Sequence, residues 1–456
     1  AAIFAAERGA KVLIIEGSHR IGGTLDRSSG QLSAAGTSLQ ESKGIKDTPQ
    51  DHFEDVMRIS RNTANPDMVR VVVNNAADTI EWLLNIGWTA LPEHPVKGQG
   101  HEDYLIARYQ WGPEGGMTVY RALEPVVLQL IEEQKITILT ETEAVELITD
   151  NDGAVTGVVA QGPDGQRLNY NSQNVVITTG GSGGNPEMFE RLNGTPLYIR
   201  WGYPYNRGVG VKLAESVGGF TKGKEHYLCN DGGILLDSNF PAPQLASAIT
   251  REDHRKPWEI YVNERGERYT REAAASVDAR EHALRDQPNH RYWIVFDDAI
   301  LEQSPPLLRG WDTEQIRLGF GRHHSFFKGN TIAELARWAG IDASGLAKTV
   351  GIYNESQSIG KDTLFGRDHM PLPISKPPYY AIGLQGYSIL VFGGVTTDTS
   401  FRVLREDDSP VPNLYAAGEV LGKAVFTGSA YVGGMSLTPA LTAGRLLGQK
   451  IMKFIT

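Results

Sequence analysis

The first sixteen residues, AAIFAAERGAKVLIIE, read as the second half of a dinucleotide-binding β–α–β unit, and they constrain the fold more than any other stretch. Residues 1–8 carry the small, apolar packing face of a helix, and Gly9 closes it as a C-terminal cap. Residues 11–16 form a buried-type strand ending in the acid Glu16. In such units the acid accepts the ribose hydroxyls of an adenine dinucleotide, and a glycine-rich turn ahead of the helix holds the pyrophosphate. That turn and its strand would lie upstream of Ala1, so the sequence is expected to be a truncated or partial chain.

Glycine is abundant: 51 of 456 residues, above the ~7% of an average protein. Many stand in pairs, at Gly22-Gly23, Gly115-Gly116, Gly180-Gly181, Gly183-Gly184, Gly393-Gly394 and Gly433-Gly434, which predicts backbone brought close to a ligand. A net charge of −10 lacks the basic footprint of a nucleic-acid binder. Cys229 is the single cysteine, which rules out an internal disulfide, an iron–sulfur cluster or a c-type haem in this chain. No apolar run reaches the length of a membrane span. A cytoplasmic location is expected, with a secretion signal ahead of Ala1 left open.

The pattern along the chain is α/β. We expect a Rossmann-like dinucleotide domain over residues 1–226, an α+β cap over 227–390, and a segment 391–456 that folds back to complete the first domain. Helices are expected over 49–87 and 118–133, then strands with turns at 151–153 and 163–165. A last helix is expected in GGMSLTPALTAGRLLGQKIMKF, opened by glycines and with small residues on one face.

Four pieces suit one ligand. Glu16 suits a ribose. Gly22, Gly23 and Thr24, with Ser29, Gly30, Ala35 and Gly36, suit a pyrophosphate and the edge of a flat ring. The strand around Val145 suits an adenine beside Thr179 and Gly180, and Gly418 and Glu419 suit a ribityl chain. Amides at the start of the last helix, at Ser436 and Leu437, would face the ring.

The motifs KVLIIE, IGGTLDRSSGQLSAAG, VVITTGGSGGNPEMF, RGVGVKLAESVGG, IYVNERGERYTRE, NLYAAGEV and GGMSLTPALTAGRLLG span essentially the whole chain. In them the sequence resembles the fumarate reductase / succinate dehydrogenase flavoprotein superfamily, which includes the 3-ketosteroid dehydrogenases. The resemblance implies FAD beneath a cap, with N5 facing a pocket between the domains. It also implies hydride exchange with a carbon next to a carbonyl or carboxylate, a small-molecule substrate and a separate electron donor or acceptor. Ser29 stands where covalent members have a histidine, which implies non-covalent FAD. Gly208-Val209-Gly210 replaces the usual Gly-Asp-Gly and lacks one polar contact.

The resemblance also assigns catalytic positions, and this chain departs from them. The family's proton donor, an arginine or a tyrosine four residues after the RYTRE motif, is here Ser276. Arg280 and His282 follow within a turn or two; either one replaces the donor or belongs to a solvated helix face. The carboxylate-binding histidine and arginine of fumarate reductases are here Leu390 and Tyr431, so the dicarboxylate clamp is missing. Tyr431 ahead of Gly433 and Gly434 resembles the Tyr-x-Gly-x-Gly loop of ketosteroid dehydrogenases, shortened by one residue.

There a tyrosine hydroxyl and a glycine amide hold an enone carbonyl. The expected catalytic set is therefore Tyr431, Gly434, Ser276 and Arg280, acting on a CH–CH bond beside a carbonyl. Two alternatives stand: reduction of a small unsaturated carboxylate, favoured if Arg200, Arg271 or Arg280 points into the cleft, and a flavin-binding protein without this chemistry. Tyr104, Tyr109, Trp111, Trp201, Tyr203, Tyr205 and Tyr387 suggest a flat, apolar substrate. No metal is assigned, since His323-His324 lacks a third ligand at zinc-like spacing.

Overall fold

A computed structural model describes residues 1–274 and 276–451. It opens with the helix Ala2–Ala6, then Gly9 at φ 93, then the strand Val12–Ile15. That strand pairs in parallel with Ile136–Leu139, which follows the helix Gly116–Glu132. An antiparallel meander comes next, Glu143–Thr149, Val155–Gln161 and Arg167–Asn171. It leads into Val175–Ile177.

The C-terminal segment packs against strands and helices from the first part of the chain. Pro410–Ala416 pairs in parallel with Val175–Ile177. The helix Leu437–Lys450 then lies against the first helix so closely that a Cβ on Gly448 would overlap the Ala1 carbonyl. On its other side it meets Pro66–Asn85, where Thr79 and Thr442 hydroxyls are 3.0 Å apart. The last three residues of the helix expected from sequence, 452–454, lie outside the described residues.

A six-stranded sheet is built from residues 230–387. Its antiparallel order is Gln244–Ser247, Asn230–Leu235, Tyr379–Tyr387, Arg291–Asp297 and Ile260–Val262, with Phe326–Gly329 also on Tyr379–Tyr387. The RYTRE motif braces this unit. Arg268 pairs with Glu272 at 2.6 Å and with Asp362 at 2.9 Å, all three buried. The helix Asp278–Arg285 begins six residues after Glu272. No helix of the described residues is long and apolar enough to cross a membrane.

The glycine pairs need a correction. Most approach backbone rather than open space: Gly115 and Gly116 abut the 25–29 backbone, Gly183 abuts Ile389, and Gly394 abuts Leu421 and Gly422. Here the missing side chain permits chain-on-chain packing. Gly23 and Gly418 differ. Both have positive φ, a Cβ on Gly23 would meet nothing, and one on Gly418 would meet only Ala440 at 3.9 Å.

Candidate active site

The residues expected around a dinucleotide gather at two ends. At one end Glu16 closes its strand and accepts a hydrogen bond from the Ser18 amide at 2.8 Å. Gly17 beside it faces Tyr205 and Arg207, and Arg207 pairs with Glu143 two residues before Val145. At the other end the loop 28–36 meets the start of the last helix. The Ser33 amide donates to Thr438 Oγ1 at 2.9 Å, and a Cβ on Gly434 would overlap the Leu32 carbonyl carbon.

Glu419 ties in the remaining piece, accepting from the Gly181 amide at 3.2 Å and from Asn206 Nδ2 at 3.0 Å. Burial raises its carboxyl above the usual range. Thr179 Oγ1 accepts from the Gly210 amide at 3.2 Å, a backbone contact in the segment that lacks the usual aspartate. Ser436 is exposed and the helix Leu437–Lys450 has no side-chain cap; the Thr438 amide donates to the Gly434 carbonyl at 3.1 Å, and the Ser436 and Leu437 amides, without a partner among the described residues, are left for an acceptor. Thr24 and Ser29 are exposed, whereas Ala35 belongs to the core. The open left-handed turns at Gly23 and Gly418, the strand-end acid and the uncapped helix start fit the phosphates, ribose and ring of FAD.

Beside the ring end lies a polar cluster contributed by distant segments. Tyr431 donates to Gln31 Oε1 at 2.6 Å and its hydroxyl is 3.3 Å from that of Tyr109. Burial raises the Tyr431 phenol, so it is a neutral donor near pH 7. Tyr104 donates to the Gly433 carbonyl at 2.5 Å and holds the glycine loop in place. The imidazole of His101 stacks on the Tyr431 ring at 4.0 Å.

His101 Nδ1 lies 3.1 Å from Asp278 Oδ1. The other Asp278 oxygen accepts from the Ser276 hydroxyl at 2.8 Å and the Glu102 amide at 2.5 Å. Burial works against the charge on Asp278, but the hydrogen bonds from His101 and Ser276 outweigh it and hold the carboxyl below its usual range. Neighbouring Glu281 has the opposite fate: burial, then the charges of Asp231 and Asp278, push its carboxyl well above the usual range.

Lys423 completes the cluster. Its ammonium lies over the rings of Tyr431, at 4.8 Å, and Phe392, at 5.3 Å. No ion pair among the described residues engages it. Burial draws it down to about 8, against the pull of Glu281 and Asp278.

Two expectations change here. Arg280 is 1% exposed and donates to Asp231 at 2.8 Å and to the Ala274 carbonyl at 3.2 Å. It belongs to the interior of the sheet unit rather than to a solvated helix face. Ser276 does not stand alone; it hydrogen-bonds the carboxylate that holds His101. The sequence reading named neither His101, Asp278 nor Lys423. His101, Asp278 and Glu281 also bring donor atoms within 4.8 Å of one another, a set of cation-ligand type where the sequence assigned no metal. Of the other arginines, Arg271 reaches only Asp368, at 3.8 Å, and Arg200 is exposed.

The comparisons agree with this architecture. The FAD binding domain family matches residues 1–437. "Fumarate reductase (cytochrome)" of Shewanella frigidimarina is 28% identical, covering 100% of this chain and 75% of that protein. Urocanate reductase of Eggerthella lenta is 27% identical, with 98% and 72% covered. Among solved structures, 3-ketosteroid delta1-dehydrogenase from Sterolibacterium denitrificans shares the fold, with a TM-score of 0.72 at 22% identity, covering 99% of this chain and 97% of that one. The chain belongs to the FAD binding domain family and is an FAD-dependent oxidoreductase that acts on the C=C or CH–CH bond of its substrate.

Proposed function

We propose that the substrate is an enone, or the saturated ketone that corresponds to it, and that Tyr431 and the Gly434 amide hold its carbonyl oxygen. The observation that carries this reading is the Tyr431 hydroxyl: a half-buried, neutral donor beside the loop 28–36 and the start of the last helix. The Gly434 amide has no partner among the described residues. Two neutral donors converging on one oxygen suit an enolate, whose charge grows during the reaction.

FAD when bound supplies hydride exchange at N5 with the carbon β to that carbonyl. The chain supplies the rest. Gln31 and Tyr109 flank the Tyr431 hydroxyl, whose single proton turns from Gln31 Oε1 to the substrate oxygen, and His101 stacks on its ring. Electrons enter or leave through a separate carrier.

A second reading is reduction of a small unsaturated carboxylate. It is favoured by Lys423, an ammonium without a carboxylate partner beside Tyr431, and by the resemblance to fumarate and urocanate reductases. One experiment separates the two. Anaerobically reduced holoprotein is mixed with 2-cyclohexen-1-one, crotonate or fumarate while flavin absorbance is followed. Reoxidation by the enone alone supports the first reading; reoxidation by the acids alone replaces it with the second.

A further inference from the structure

We propose that His101, held through Nδ1 by Asp278, is the group that exchanges the proton with the substrate carbon next to the carbonyl. The inference rests on the CH–CH chemistry above but not on which carbonyl compound is used. Ser276 stands where relatives carry an acid, and a serine hydroxyl is a poor one. Here that hydroxyl donates to Asp278, and Asp278 turns its other oxygen to His101.

A carboxylate on one imidazole nitrogen fixes the tautomer and ring plane and leaves the other nitrogen free to take or give a proton. Nε2 of His101 makes no hydrogen bond among the described residues, and the ring lies on Tyr431. The acid/base group is thereby held next to the oxygen-binding group, as required when the proton-bearing carbon and the carbonyl are neighbours.

The pair is also assembled from two distant segments. His101 and Glu102 belong to the loop that precedes Tyr104, whereas Asp278 opens the helix Asp278–Arg285 of the six-stranded unit. Beyond the His101 contact, the Glu102 amide reaches Asp278 at 2.5 Å and the Val277 amide reaches the Gly100 carbonyl at 3.3 Å. Separating these segments would part the imidazole from its carboxylate. The His101 side chain is 23% exposed against 9% for Asp278, so the imidazole is the more open of the two to solvent.

In the reducing direction the Nε2–H bond breaks and a C–H bond forms at the α-carbon. The electron pair comes with the hydride that reduced FAD delivers to the β-carbon, and a separate carrier re-reduces the flavin. His101 regains its proton from solvent. In the oxidising direction each bond change is reversed. The charged and titratable groups facing the imidazole are Asp278, Glu281 and Tyr431, with Lys423 over the phenol ring.

The test uses FAD-loaded protein. Imidazole nitrogen NMR, with His101 assigned from His101→Gln, should show the Nδ1–H tautomer, and Asp278→Asn should shift the balance of tautomers. With whichever of 2-cyclohexen-1-one, crotonate or fumarate reoxidises the flavin, His101→Gln should slow reoxidation by about 10²–10⁴-fold and flatten its pH profile. Imidazole should restore part of the rate in His101→Gly. Asp278→Asn should shift the pH profile rather than abolish the rate.

An unchanged rate and profile in His101→Gln would overturn the inference, as would a His101 tautomer indifferent to Asp278→Asn. Stoichiometric zinc retained by the wild type and lost in His101→Gln would overturn it in favour of a metal site. If none of the three acceptors reacts, the substrate reading falls, and the NMR tautomer alone decides for or against the pair.

Discussion

The rings of His101 and Tyr431 stack with centroids 4.0 Å apart and planes inclined by 24°. The stack joins a residue held by Asp278 to a residue held by Gln31, so the proposed acid/base group lies directly against the proposed carbonyl-binding group. Tyr431 and Ser276, which braces the His101 partner, stand where the resemblance to the fumarate reductase superfamily places an arginine and the proton donor. A neutral oxygen site beside a carboxylate-held imidazole is suited to enolate chemistry more than to clamping a dianion.

Tyr431→Phe tests the oxygen site. The substitution keeps the ring and its stack and removes the hydroxyl that donates to Gln31 at 2.6 Å. Reoxidation of reduced flavin by 2-cyclohexen-1-one should fall about 10²–10³-fold, the usual effect of deleting one oxyanion donor. The flavin absorbance spectrum and FAD affinity should stay the same. Loss of FAD instead of rate would make Tyr431 a structural residue.

Gly30→Ala tests how the cofactor loop is held. Gly30 has φ 67, and its Cβ would overlap the Gly115 carbonyl carbon at the start of the helix Gly116–Glu132. The left-handed backbone alone costs roughly 1–2 kcal/mol for alanine, and the overlap adds to it because both partners are backbone. The melting temperature and FAD affinity should drop together, read by calorimetry and fluorescence titration.

What the sequence revealed and what it hid follow from distance along the chain. Residues 1–16 and 437–450 were legible because glycine placement and apolar periodicity are local signals. His101 and Asp278 are separated by 177 positions, and nothing near either residue announces the other. Arg280 invited a surface reading because its partner, Asp231, lies 49 residues back on the strand Asn230–Leu235. Lys423 follows a recognised glycine turn, yet only the structure shows two aromatic rings beneath its ammonium. The glycine pairs were visible, but whether they face a ligand or another backbone is a tertiary matter.

Arg280→Met should destabilise the six-stranded unit by roughly 3–5 kcal/mol, because it leaves Asp231 buried without its cation. Arg280→Met with Asp231→Leu should recover much of that loss, since a buried pair often exchanges for apolar groups at little cost. Denaturant unfolding of the wild type, both single variants and the double variant forms the cycle. A single variant as stable as the wild type would return Arg280 to a free catalytic role.

Lys423→Met makes a prediction with a definite pH sign. The ammonium is held at about 8 in the fold, against 10.5 for a free lysine. Below pH 8 both folded and unfolded chains carry the charge, so the fold bears the full penalty of burying it. Between pH 8 and 10.5 the folded chain releases the proton while the unfolded chain keeps it, and wild-type stability rises relative to the variant. Lys423→Met should therefore be more stable than wild type at pH 7, with an advantage that shrinks through pH 9 and is smallest near pH 10. Denaturation midpoints at these values measure it, and a difference that stays constant with pH would place the Lys423 ammonium in water rather than over the two rings.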